Sequence, residues 1–302
     1  MTRVSAIICT RGRPDLIGKA VASVLANDHD SFDVVVLDQS EDDATKAALS
    51  ALTVDDRLNY VHLDRAGLSH AYNAGIAMTS GPLLAFTDDD CIAPTEWLTS
   101  VESAFERNPD VDMLYGQTIG APELADAPGS LPAVLISHEE KLGVGFGFRI
   151  YGMGANFALR RELVERIGGF DEVLGGGGPL RSSQDFDFQF RAYRAGAICL
   201  LTPEVWVHHY GIRDGEAWTA TQTAYGIGDG AFYLKHIRCR DLLALRLLMM
   251  RLGRLLLRAA LNPIRQRPSQ WSYTRGYFTG MKRSLSFRID PERRLYRLSG
   301  GG

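Results

Sequence analysis

At 302 residues, with 45% hydrophobic and 23% charged residues, the chain has the composition of a large globular protein and none of the bias of a disordered one. Its four cysteines (Cys9, Cys91, Cys199 and Cys239) are far apart, which excludes a zinc ribbon and a disulfide scaffold and makes the reducing cytoplasm the expected compartment. The net charge of −3 conceals two opposed parts: residues 1–229 hold 17 Lys and Arg against 33 Asp and Glu, whereas residues 230–302 hold 16 against 3.

Val4 to Cys9 is an apolar run of strand length that ends in the loop Thr10-Arg11-Gly12-Arg13. No apolar signal segment precedes it. Pro14 suits the first turn of a helix, which Leu16, Ala20, Val21 and Val24 continue at helical spacing. Phe32 to Leu37 is a second buried strand, closed by Asp38-Gln39-Ser40. A helix over Glu41 to Leu52, a strand over Leu58 to Leu63 and a helix over Gly67 to Thr79 follow. The fourth strand, Leu83 to Phe86, runs straight into Asp88-Asp89-Asp90.

Strands alternating with helices of this length predict a mostly parallel sheet with helices on both faces. Ligands of such sheets bind beyond the carboxyl ends of the strands. Thr10, Arg11, Asp38 and the acidic triplet should therefore open onto one crevice. Three crowded carboxylates need positive charge beside them, and an oxygen-preferring divalent cation, Mg²⁺ or Mn²⁺, is the natural candidate.

Beyond a helix over Thr95 to Glu106, strands are expected at Met113 to Thr118 and Phe148 to Leu159, then a short helix over Arg160 to Ile167. The glycine run Leu174 to Pro179 reads as a lid. Ser183 to Ala195 reads as a helix with Asp185 in its first turn. Ala197 to Leu201 and Val205 to Val207 are strands leading to His208-His209. The remainder reads as helical, with a flexible tail at 299–302.

Asp241 to Leu261 is long and apolar, but Arg246, Arg251, Arg254 and Arg258 each cost about 2.5–3.5 kcal/mol near a membrane centre. At about 100° per residue these arginines share an arc of about 140°, opposite Leu242, Leu245, Leu248, Met249, Leu252, Leu255 and Leu256. The pattern fits a helix in an anionic membrane interface, or one packed on a second subunit. Trp271, Tyr273, Tyr277 and Phe278 add interfacial residue types. No nucleic-acid-binding motif accompanies the basic end.

Several stretches, in order, resemble the family 2 glycosyltransferases, inverting enzymes with the GT-A fold. They are Val4 to Pro14, Val35 to Ser40, Gly67 to Gly75, the strand ending in Asp88-Asp89-Asp90, Gly154 to Arg161, Gly168 to Glu172 and Gln184 to Asp187. The resemblance covers about residues 4–210 and implies a Rossmann-like GT-A catalytic domain over 1–210, with a basic helical extension over 211–302. It implies that Asp38 accepts a hydrogen bond from the nucleotide base and that the Thr10 loop, with Arg11 and Arg13, lines the donor pocket. It further implies that Asp90 binds the metal, Asp88 binds metal or ribose, and His208 completes the metal site, with His209 its competitor. Asn73, Asp89, Asn156 and Arg181 join the donor-binding set, and Asp89 is expected to matter least of the triplet. Asp185 becomes the general base; Gln184 departs from the family's usual Glu at that place.

The implied donor is a nucleotide sugar, UDP first with dTDP and GDP open, and the implied acceptor a glycan or a lipid-linked glycan on the inner face of the cell membrane. A sugar-phosphate nucleotidyltransferase is the competing enzyme class. It would want a Gly-rich loop with a Lys after the first strand, and Thr10 to Pro14 has one glycine and no lysine. A non-catalytic nucleotide-sugar-binding scaffold is the third reading, and the retained Asp88, Asp90 and Asp185 speak against it.

Overall fold

The computed structural model describes residues 2–298 apart from 128, 130, 147, 150, 213, 214 and 266–270. The tail expected at 299–302 lies outside the described residues. The chain divides into two compact units, Met1–Phe170 with Phe188–Arg213, and Asp171–Asp187 with Asp214–Gly302. The sequence-based division at 210 lacked the segment 171–187 in the second unit.

In the first unit, β1 (Val4–Thr10), β2 (Phe32–Asp38), β3 (Leu58–His62) and β4 (Leu83–Asp88) pair in parallel in the order β3-β2-β1-β4. Each is followed by a helix or an acidic turn: α1 (Pro14–Leu25), α2 (Ala44–Leu49) and α3 (Leu68–Met78) follow the first three. Pro14 opens α1 because its missing N–H is one that a first turn leaves unpaired anyway. Ile17, Ala20, Val21 and Val24 then line the helix face buried against the sheet.

The sheet continues past β4 with mixed polarity. β5 (Cys91–Ile92) leads to α4 (Trp97–Arg107), followed by β6 (Met113–Gly120), β7 (Glu140–Leu142), β8 (Asn156–Arg160), α5 (Arg161–Ile167), α6 (Gln184–Arg194) and β9 (Cys199–His209). β8 is antiparallel to both β4 and β6, and β6 runs parallel to β9. Two sequence expectations differ here. The strand expected from Phe148 begins only at Asn156, and the two strands expected over 197–207 are one, β9. Phe86 stacks on Phe157 at 4.4 Å and Phe170 on Phe188 at 4.4 Å, with Tyr72 edge-on to Phe86. Such pairs add about 0.5–1.5 kcal/mol each beyond area burial.

The second unit holds α7 (Gly215–Arg238), α8 (Leu242–Arg265), α9 (Trp271–Ser284) and a closing hairpin of β10 (Arg288–Asp290) and β11 (Leu295–Arg297). The sequence reading gave helix alone for this region and missed the hairpin. No described helix is long and apolar enough to cross a membrane. Gly226 and Gly230 on α7 lie against the backbone of α9 at Tyr273 and Tyr277, and Gly276 and Gly280 lie against α7 at Thr223 and Ile227. Any Cβ at these four positions would collide with a carbonyl oxygen, so small residues four apart set this close crossing.

Lys235 of α7 is fully buried between Asp171, 2.7 Å away, and Asp187, 2.5 Å away. Asp187 also accepts from His236 at 2.8 Å, and Asp171 accepts from the Tyr296 backbone N–H at 2.8 Å. Burial, partly opposed by Asp187, holds the His236 imidazole down at about 4, so it is neutral at physiological pH. The ammonium is thus the charge that balances two buried carboxylates. We expect Lys235→Met to lower unfolding stability by about 3–5 kcal/mol, read from the urea midpoint, because it strands that pair. An unchanged midpoint would show that the carboxylates are neutralised another way.

Candidate functional site

The strand-end loops of the first unit are tied by one set of polar bonds. Asp89 and Asp90 are buried, and Asp88 is half-buried at the end of β4. The Thr10 hydroxyl donates to Asp89 Oδ2 at 2.6 Å. One Arg13 nitrogen donates to Asp89 Oδ1 at 2.8 Å and to Asp90 Oδ2 at 2.9 Å. Burial would lower the Arg13 guanidinium, but Asp89 and Asp90 outweigh it and hold the group above its ordinary range. At Asp89 burial wins over Arg13 and raises the carboxyl. Asp89, given least weight from sequence, is therefore the member of the triplet that joins the loop after β1 to the loop after β4.

Asp38 is fully enclosed. Its Oδ1 accepts from the Ser40 N–H at 2.9 Å and the Ser40 hydroxyl at 2.5 Å, and its Oδ2 accepts from Tyr60 at 2.8 Å. Ser40 in turn accepts from the Gly12 N–H at 2.8 Å. A base reaches Asp38 only by displacing one of these partners. Arg11 is half-exposed and pairs with Glu41 at 3.1 Å.

Two donor-binding expectations land on structural amides. Asn73 exchanges bonds with the Phe170 backbone, donating to its carbonyl at 2.9 Å and accepting from its N–H at 2.8 Å. Asn156 is fully buried; it accepts from the Trp97 indole at 3.0 Å and donates to the carbonyls of Gln117 at 2.7 Å and Val205 at 3.2 Å. A fully buried amide with partners such as those of Asn156 is committed to holding backbone. Asn73 sits within α3 and is half-buried, whereas Asn156 opens β8 and is wholly enclosed.

The histidine also differs. His209, not His208, faces the acidic turn: its Nε2 lies 3.5 Å from Asp90 Oδ1, and the ring is 1% exposed. β5 pairs Cys91 with His209 and Ile92 with His208, so strand alternation turns the two imidazoles to opposite faces. His208 instead packs against Trp206 with ring centroids 5.0 Å apart. Asp90, Cys91 and His209 bring ligand atoms within 4.8 Å of one another, a group that includes neither Asp88 nor His208.

These residues fit a divalent ion. A Cβ at Gly211 would stand 2.5 Å from Asp90 Oδ2 and 2.9 Å from the His209 ring, so the glycine keeps that space clear. Burial, with Asp88 and Asp90 adding, pushes the Cys91 thiol well above its ordinary range, which leaves an oxygen and nitrogen donor set.

Asp185 lies at the start of α6, in the second unit. Burial, with a contribution from Asp229, raises its carboxyl to about 6, although the Phe186 N–H donates to it at 2.9 Å. Arg181, four residues before it, is exposed with φ 71°.

The sequence model of glycosyl transferase family 2 matches residues 5–168, more than half of the chain. The chain belongs to glycosyl transferase family 2. Among curated family relatives, the glucosyl-dolichyl phosphate glucuronosyltransferase of Haloferax volcanii is 26% identical over 183 residues, 57% of this chain and 57% of that protein. The succinoglycan biosynthesis protein ExoO of Rhizobium meliloti is 28% identical over 226 residues, 70% of this chain and 61% of its own length. The chain thus spans less than two thirds of these relatives. The GT-A fold is shared with two solved structures. A mannosyltransferase of Pyrobaculum calidifontis, solved with GDP-Man and Mn²⁺, superposes with TM-score 0.58 at 22% identity over 78% of this chain and 64% of that one. Residues 1–349 of TarS from S. aureus, solved with UDP-GlcNAc, give 0.60 at 18% over 76% and 65%.

The raised Asp185 carboxyl has a stability consequence. Between its unfolded value near 3.8 and its folded value of about 6, the folded chain binds more protons, so stability falls as pH rises through that window. Asp185→Asn removes the buried charge and should stabilise the fold at pH 7 by about 1–3 kcal/mol, with no gain at pH 3, in urea titrations at both pH values. Equal effects at both would mean the carboxylate is not destabilised by burial.

Proposed function

We propose that the chain transfers a sugar from a nucleotide-diphosphate donor to an acceptor hydroxyl with inversion at the anomeric carbon. The observation that carries this reading is the Asp90–His209 pair with its cleared space at Gly211, set beside Thr10 and Arg13 at the strand ends of a family 2 chain. The donor lies across these loops. Arg13, with its side chain half-exposed, supplies positive charge to the phosphates, and Thr10, Arg11 and Asp38 frame the base and ribose. Asp90 and His209 are the residues that would hold a divalent ion, which when bound offsets the charge that builds on the leaving diphosphate. The imidazole favours Mn²⁺ over Mg²⁺.

Asp185 takes the proton of the acceptor hydroxyl as that oxygen attacks the anomeric carbon. The bond from that carbon to the phosphate oxygen breaks, its electron pair leaves with the diphosphate, and the single displacement inverts the centre. A carboxyl raised to about 6 is ionised at pH 7 yet basic enough to accept a proton in the transition state. Nucleotidyl transfer has no comparable support in a family 2 chain. UDP is the first donor nucleotide to try, and GDP the second, given the ligands of the two solved relatives. The dolichyl phosphate and succinoglycan relatives suggest a lipid-linked or polysaccharide acceptor.

With Mn²⁺ present, turnover should fall along an acidic limb below about pH 6, vanish with EDTA and drop by at least about 100-fold in Asp185→Asn. Gly211→Ala should weaken Mn²⁺ binding, measured by calorimetry, in a folded chain. Metal-independent transfer would remove the ion from this reading, and retained turnover in Asp185→Asn would remove the base.

α8 supports a peripheral membrane location for this activity. Leu242, Leu245, Met249, Met250, Leu256 and Leu257 are exposed along it. The helical projection set four arginines on one arc opposite the apolar residues, but Arg251 turns inward and donates to the Tyr273 hydroxyl at 2.7 Å, and the side chain of Arg258 lies outside the described residues. Arg246 and Arg254 remain beside the exposed apolar residues. A surface of leucine, methionine and arginine on a chain end with 16 basic and 3 acidic residues suits an anionic lipid interface. The full chain should float with vesicles containing phosphatidylserine, and the double variant Met249→Glu/Leu256→Glu should not. Equal flotation of both, or a dimer that dissociates in the variant, would replace the lipid by another occupant.

A further inference from the structure

The loop that presents Asp185 is clamped to α7 from beneath. The Ser182 hydroxyl donates to the Ala224 carbonyl at 3.0 Å, and the Ser183 hydroxyl donates to Asp229 Oδ1 at 2.8 Å. Ser183 has φ 66°, a left-handed conformation that a residue with a side chain holds only when its surroundings require it. Gly228 lets this happen, since any Cβ there would collide with Ser182. Asp229 is itself held from two other helices: the Tyr273 hydroxyl donates to its Oδ2, and Arg251 donates to that same hydroxyl at 2.7 Å while standing 3.8 Å from Asp229. The Arg251 guanidinium also lies 4.9 Å from the centre of the Tyr273 ring.

We propose that Asp229 is the positioning residue for the Asp185 carboxylate, fixing its loop through the hydrogen bond to Ser183, with Tyr273 and Arg251 holding Asp229 in place. The proposal rests on the reading of Asp185 as the base. It makes three C-terminal helices part of the apparatus that holds the base.

The charged and titratable groups around Asp229 are few. From α7 come Asp229 itself and Tyr233, from α8 Arg251 with Arg254 further out, and from α9 Tyr273 and Tyr277. Burial raises Asp229, while Tyr273, Ser183 and Arg251 pull it back down. Asp187, on the same helix turn as Asp185, is engaged with Lys235 and His236 instead. A negative Asp229 makes Asp185 harder to ionise, so its loss should lower the Asp185 midpoint.

The test uses the full chain and two readouts. Carboxyl ¹³C NMR, with the Asp185 signal assigned by its absence in Asp185→Asn, gives the midpoint of that group directly. The pH profile of kcat/KM gives the acidic limb. In Asp229→Asn the Asp185 midpoint should drop by about half a pH unit or more, with the acidic limb moving alongside and kcat falling more than donor KM rises. Asp229→Glu should restore most of both. Should Asp229→Asn fold poorly, Tyr273→Phe removes one donor to Asp229, makes that neighbour harder to ionise, and should move the Asp185 midpoint in the same direction by less. An unmoved midpoint in either folded variant overturns the coupling, whatever happens to turnover. A midpoint that moves while the acidic limb stays leaves the coupling standing and refutes Asp185 as the base, so the two failures are distinct.

Discussion

Consecutive carboxylates at the end of a buried strand are tolerable only if positive charge is built in beside them. Here Arg13 provides it, reaching Asp89 and Asp90 with one nitrogen while Thr10 satisfies the other Asp89 oxygen. That arrangement makes the acidic turn rigid before any ligand arrives. It also couples the loop after β1 to the loop after β4, so the two walls of the crevice cannot move independently. The division of labour follows from which oxygen is taken. Asp89 is used up in holding the walls, and Asp90 faces His209 across the space that Gly211 leaves open.

Much of the first unit was legible because its signals are periodic. Four apolar runs, each followed by a helical pattern or an acidic turn, leave a parallel sheet as the economical solution, and strand polarity then brings Thr10, Asp38 and Asp90 to one edge. What the pattern does not carry is orientation. His208 and His209 are adjacent in sequence and equivalent in chemistry, and only the pairing of β9 with β5 decides which faces the turn. Asn156 shows the same gap: from sequence alone nothing says that its amide spends its hydrogen bonds on the Trp97 indole and on backbone carbonyls. The late hairpin was missed for another reason. β10 and β11 are three residues each, too short for any alternation to register.

The second unit buries several charged groups among its described residues. Lys235 between two carboxylates and Asp229 beneath Ser183 are costly to desolvate, and only replacement of a whole set by packed hydrophobic residues, not of one partner, would serve stability as well. Their placement is more informative than their number. Both sets hold the short segment around Asp185, one from Asp187 and the other from Ser183. If Asp185 acts as the proposed base, it needs a loop that does not relax when its carboxylate loses or gains a proton. The left-handed Ser183 and the raised Asp185 are two signs of that same constraint.

The four glycines between α7 and α9 reach further than local packing. They fix how the helix bearing Asp229 meets the helix bearing Tyr273, and both belong with residues 171–187, which precede them by a whole strand of the other unit. The family signature stops at residue 168. A fragment trimmed to that signature would lose Asp185 and His209 themselves, and one trimmed to the end of β9 would keep both while discarding the helix that holds Ser182 and Ser183. Exchanging this tail for another would change what holds residues 171–187 unless the glycine pairs and Asp229 travel together with that segment.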